Sequence, residues 1–101
     1  KRMDSFLESN VVEIEEIKNS FYLRFEVEDK PGVMAHIAKI FGDNNVSLAS
    51  VLQKQKDNPI VPLVFITHSV KEKNLNNSLK EIKELDDVIE IKSVIRVENN
   101  I

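Results

Sequence analysis

The sequence predicts an α+β fold, because two hydrophobic periods take turns along it. Segments near 21–28 and 88–98 alternate apolar with polar residues, and those near 46–55 and 60–68 are rich in β-branched residues, as strands are. Segments near 32–42 and 71–85 instead repeat apolar residues every three or four positions, as amphipathic helices do. The resulting order, βαββαβ, is that of the ferredoxin-like sandwich: a four-stranded antiparallel sheet with both helices on one face. In that arrangement the first and third strands are central, with the second and fourth at the edges.

The first strand rests on Phe21, Leu23, Phe25 and Val27, which alternate with Tyr22, Arg24, Glu26 and Glu28. A turn of Asp29, Lys30, Pro31 and Gly32 follows, and then Val33, Ile37, Ile40 and Phe41 fall at helical spacing. Asp29 is placed to accept a hydrogen bond from a backbone N–H of the first turn, and Pro31 fixes φ where its missing donor does no harm. Such a turn joins free N–H groups and a positive helix end with little side-chain bulk, so a small carboxylate could sit there. The same residues also read simply as a well-capped junction.

Gly42 is positioned to end the first helix through a positive φ, with Asp43, Asn44 and Asn45 completing the turn. In the second strand Val46, Leu48 and Leu52 are expected on one face and Ala49 and Val51 on the other. Lys56, Asp57, Asn58 and Pro59 turn the chain back into a third strand that is apolar at nearly every position, so both its faces should be covered. Leu75, Leu79, Ile82 and Leu85 form the core stripe of the second helix. Asp86 and Asp87 break it, and the last strand is expected to show Ile89, Ile91, Ile95 and Val97 on one side. Residues 1–20 keep no long period and read as a connector, with a short strand expected near 11–14. Residues 99–101 read as a tail.

At 101 residues the chain has the length of one domain, and 42% hydrophobic with 31% charged residues is the composition of a soluble globular protein. No apolar run reaches the ~18 residues of a membrane span, so the expectation is a cytoplasmic protein without a membrane partner. A net charge of −3, with Lys54 and Lys56 the nearest thing to a basic cluster, argues against a nucleic-acid partner.

Enzymatic constellations are missing. Zero cysteines exclude disulfides and thiolate chemistry, and the two histidines, His36 and His68, lack metal-ligand spacing. Ser47, Ser50 and Ser69 carry no nucleophile-elbow pattern, and the acidic pairs Glu15/Glu16 and Asp86/Asp87 sit in charge-rich connectors. Gly32 and Gly42 are the only glycines, so neither a dinucleotide fingerprint nor a phosphate-cradling loop is present. RNA-binding and phosphatase relatives of this fold would need a glycine-aromatic basic run or an arginine in the first loop. Neither pattern occurs.

From residue 21 to 98 the sequence resembles an ACT domain, through Asp29-Lys30-Pro31-Gly32-Val33 closing the first strand and Asn45-Val46-Ser47 leading into the second. Tyr22-Leu23-Arg24, residues 47–54 (SLASVLQK) and residues 62–68 (PLVFITH) are similar, more narrowly, to the C-terminal ACT domain of the homoserine dehydrogenase family. The resemblance implies a regulatory domain that binds an amino acid, threonine as end-product inhibitor, in the crevice between paired domains. The ligand-binding residues it implies are Asp29, Lys30, Pro31, Gly32, Val33 and Met34 of the turn, and Asn45, Val46, Ser47 and Leu48 at the start of the second strand. It further implies a homodimer or higher oligomer, and residues 1–20 as the connector from an upstream catalytic domain. That domain would hold the NADP or NAD, leaving no cofactor and no catalytic residue in this stretch. The alternative is a structural dimerisation tail that binds no ligand.

Overall fold

The computed structural model describes residues 17–54 and 58–97. Strand β1 (Lys18–Glu28) leads to helix α1 (Val33–Asp43), followed by β2 (Leu48–Gln53), β3 (Ile60–Thr67), the two-residue β4 (Val70–Lys71), α2 (Glu72–Lys83) and β5 (Val88–Val97). The long strands lie in the order β2-β3-β1-β5, all antiparallel, with β1 and β3 central. This is the expected ferredoxin-like arrangement. Strand β4 was not foreseen; it continues beyond β3 along the same edge of β1, pairing Lys18 with Lys71 and Asn19 with Val70. It lengthens β1 backwards, so β1 begins at Lys18 and not at 21. The proposed strand at 11–14, the tip of the turn at 56–57 and the tail at 99–101 lie outside the described residues.

Alternation along β1 sends Phe21, Leu23, Phe25 and Val27 to the helix side, where all four are buried. They meet Val61, Leu63 and Phe65 of β3, Val33, Ile37 and Phe41 of α1, and Leu75 and Ile82 of α2. At the centre Phe25, Phe41 and Phe65 bring β1, α1 and β3 together, with ring centroids 5.4 to 6.5 Å apart. The break between β3 and β4 leaves one β1 donor for a side chain to satisfy: the Phe21 N–H donates to the buried Thr67 Oγ1 at 3.0 Å. Thr67→Val keeps the volume but strands that N–H, and a loss of about 1–3 kcal/mol is expected in urea denaturation.

Four expectations are corrected. The helix stop is not Gly42, which lies inside α1; Asn45, at φ 62°, makes the left-handed turn. The Val46 N–H bonds to the Phe41 carbonyl at 2.8 Å and the Asn45 N–H to that of Gly42 at 3.0 Å, the two bonds of a Schellman motif. In β2 a register shift between Leu48 and Ser50 inverts the phase, so Val46 is buried and Leu48 packs on the core, while Leu52 faces the open side beside Val64. In β5, shifts opposite Arg24/Phe25 and Glu26/Val27 skip Lys92 and Ile89. Ile91 therefore meets the core while Ile95 turns to the other face. The open face of β3 is also only partly covered: Ile66 is exposed and Val64 half-buried, though Pro62 is buried.

Candidate functional site

The turn between β1 and α1 is tied at its β1 end by two backbone bonds. The Glu28 N–H donates to the Asp87 carbonyl and the Asp29 N–H to the Pro59 carbonyl, each at 2.9 Å. The helix cap, however, is Gly32 at φ 89°, with no side-chain capping bond. The expected capping role of Asp29 is thus not realised, and Pro31 precedes the cap. The His36 N–H reaches back to the Gly32 carbonyl at 2.9 Å and starts the helical ladder. The N–H groups that open the helix have no acceptor within it, and that of Val33 makes only a long 3.5 Å contact with the Lys30 carbonyl in the turn.

A cleft of about 370 Å³ opens at this turn, lined by Glu28, Asp29, Lys30, Pro31, Gly32, Val33 and Met34, with Val27, Leu63 and Gln53 completing its wall. Its polar rim is mixed in charge. The Lys30 ammonium lies 3.2 Å from a Glu28 carboxylate oxygen and 3.3 Å from Asp87 Oδ1. Hydrogen bonding to Glu28 and then to Asp87 raises its pKa above the usual lysine value. It stays a cation through neutral pH, and water screens it because the side chain is exposed. Among the described residues no group of His, Asp and Glu is placed to hold a metal ion.

The six turn residues named from sequence come together in this cleft; the four at the start of the second strand do not. Antiparallel register puts Leu48 beside Thr67, whereas the turn lies at the Ile60 end of β3. Some seven residues of β1 separate the two ends, roughly 23 Å at strand rise. Asn45 and Val46 cap α1, and the exposed Ser47 accepts the His68 N–H on its carbonyl at 2.8 Å. Sequence reasoning missed Gln53 and Asp87. Neither belongs to a local motif, and only strand register and the α2–β5 turn bring them near residues 28–33.

The ACT domain family model matches residues 21–87. The chain belongs to the ACT domain family. It is 42% identical over 84 residues to a homoserine dehydrogenase of Synechocystis, covering 83% of this chain and 19% of that protein. With a homoserine dehydrogenase of Helicobacter pylori it shares 38% identity over 86 residues, 84% of this chain and 20% of the relative. The crystal structure of a homoserine dehydrogenase from Thiobacillus denitrificans superposes with a TM-score of 0.76 at 32% identity, covering 85% of this chain and 19% of that one. This ACT domain thus spans about a fifth of the length of these relatives. The ACT domain of a Chlorobium tepidum GTP pyrophosphokinase, at 16% identity and a TM-score of 0.60, shares the fold. Among the described residues no helix is long and apolar enough to cross a membrane.

Proposed function

We propose that this ACT domain is the amino-acid-sensing regulatory part of a cytoplasmic homoserine dehydrogenase and that its effector is threonine, acting as a feedback inhibitor. The charge inventory of the cleft carries the reading. Two carboxylates, Glu28 and Asp29, line it with one ammonium, Lys30, beside the positive end of α1, and that ammonium is paired with Glu28 and, beyond the lining, with Asp87. The excess carboxylate suits an α-ammonium, and the helix N–H groups suit an α-carboxylate. A free amino acid presents both. Gln53 adds an amide that could bond a side-chain hydroxyl.

Because residues 45–48 lie at the far end of the sheet, a site using both clusters has to be completed by a second copy. Pairing of ACT domains supplies that copy in this reading, and the catalytic domain upstream receives the signal. The dehydrogenase cofactor, NADP or NAD, belongs to that other portion, since two glycines ten positions apart make no dinucleotide loop. Calorimetric titration of the 101-residue chain with the twenty amino acids tests the reading. Saturable heat with threonine, and no oxidation of NADPH or NADH with aspartate semialdehyde above a blank, is the expected result. A chain that dimerises yet gives no heat with any amino acid would leave the alternative, a structural dimerisation tail.

A further inference from the structure

The cleft beside α1 already holds an ammonium that belongs to the protein. Two carboxylates, Glu28 and Asp29, line it, and only one of them is taken. Lys30 Nζ lies 3.2 Å from Glu28 Oε1 and 3.3 Å from Asp87 Oδ1, so it sits between an acid of the cleft wall and one just outside it. The Asp29 carboxylate enters none of the ion pairs among the described residues. One acceptor is satisfied from within, and one is left for a ligand.

Main-chain bonds hold the three paired residues together as well as charge does: the Lys30 N–H donates to the Glu28 carbonyl and the Glu28 N–H to the Asp87 carbonyl, each at 2.9 Å. Among the described residues neither the Glu28 nor the Asp87 carboxylate pairs with another cation. Lys39 lines a hollow with Asp87 on the outer side of Pro31 and Gly32, but Asp43 holds its ammonium at 3.0 Å.

We propose that Lys30 sets the class of amino acid that the cleft accepts: its ammonium fills the place between Glu28 and Asp87 that a second ammonium on a ligand would take, so uncharged side chains are admitted and basic ones refused. The inference rests on the amino-acid reading above. An α-ammonium goes to Asp29 and an α-carboxylate to the N–H groups that open α1, and neither contact needs Lys30. A side-chain ammonium finds its acceptors occupied. Tethering makes that occupation hard to reverse, because Lys30 competes at an effective concentration in the millimolar range, whereas a free ligand competes at its own. Repulsion between the two ammonium groups adds to the discrimination, so the specificity comes from an excluding group as much as from an attracting one. Threonine passes this filter; free lysine and ornithine do not.

Lys30→Met tests it, since methionine keeps an aliphatic stem and vacates the place of the charge. Lys30 is exposed, so the variant should melt close to the wild type. Titration calorimetry of the 101-residue chain with threonine, ornithine and lysine is the measurement. The wild type should give saturable heat with threonine and none with either diamino acid. Lys30→Met should bind lysine or ornithine about tenfold more tightly than the wild type does, because one exposed ion pair is worth up to about fivefold in affinity and the vacated place offers two. Its threonine affinity should barely change. Lys30→Arg keeps the cation and should keep the wild-type preference, while Glu28→Gln added to Lys30→Met should cancel the gain. A wild type that binds lysine as tightly as threonine, a Lys30→Met chain that gains neither diamino acid, or a gain that survives Glu28→Gln would each overturn the filter. The two readings fail separately: a diamino-acid gain in Lys30→Met with no threonine heat in the wild type overturns threonine sensing alone, and threonine heat with no gain overturns the filter alone.

Discussion

Gly32→Val is expected to abolish threonine binding while the domain remains folded. Gly32 caps α1 at φ 89°, a conformation that a β-branched residue adopts only at a cost of about 1–3 kcal/mol. A Cβ built there meets nothing within 4 Å, so the fold has room for the side chain and the damage is confined to backbone strain and to the cleft that the new methyls fill. Gly32→Ala carries most of the φ strain and little of the bulk. It should lower the melting midpoint by about the same amount while keeping weakened binding, which separates strain from occlusion. Lys39→Ala is the control: Lys39 is exposed, pairs with Asp43 one turn on at 3.0 Å, and is worth roughly 0.2–0.5 kcal/mol with no effect on binding. Unchanged threonine heat in a folded Gly32→Val would place the ligand elsewhere and remove the helix-terminus argument.

The reach of the sequence reading differs from element to element for physical reasons. Strand β1 and helix α2 were legible because each buries one uninterrupted face, so a single period runs along the whole element. In β2 and β5 the period is broken by register shifts, and a shift of one residue moves every later side chain to the opposite face. Local composition carries no mark of where that happens. The α1 stop was misplaced for a different reason: Gly42 and Asn45 both tolerate positive φ, and the choice is made by Phe41. With Phe41 in the core as the third residue from the cap, Val46 packs back as the hydrophobic partner of a Schellman motif centred on Asn45. The turn half of the candidate site is contiguous in sequence and could be read. Gln53 and Asp87 reach it only through tertiary pairing, and the distance of residues 45–48 from the turn becomes visible only once α1 and β1 are laid side by side.

Phe41→Ala should cost about 3–5 kcal/mol, the largest effect expected of any single substitution in the core. The Phe41 ring is fully buried, 5.4 Å from Phe65 and 6.5 Å from Phe25, so its removal leaves a void bounded by two strands that cannot close over it. Alanine is the better helix former by roughly half a kcal/mol, so any loss of stability reads packing and not helix propensity. The cap bond from the Val46 N–H uses the Phe41 carbonyl, which the substitution leaves in place. A domain of this size has a net stability of about 5–15 kcal/mol, so the variant should still fold in the cold with native far-UV circular dichroism. Its thermal midpoint should fall by some 12–40 °C, at 4–8 °C per kcal/mol. Phe41→Leu keeps most of the volume and should recover most of that loss. A fall of less than about 1 kcal/mol for Phe41→Ala would mean that α1 is not held to the sheet by this ring cluster; the turn that α1 presents to a ligand would then owe its position to the backbone bonds from Glu28 and Asp29 alone.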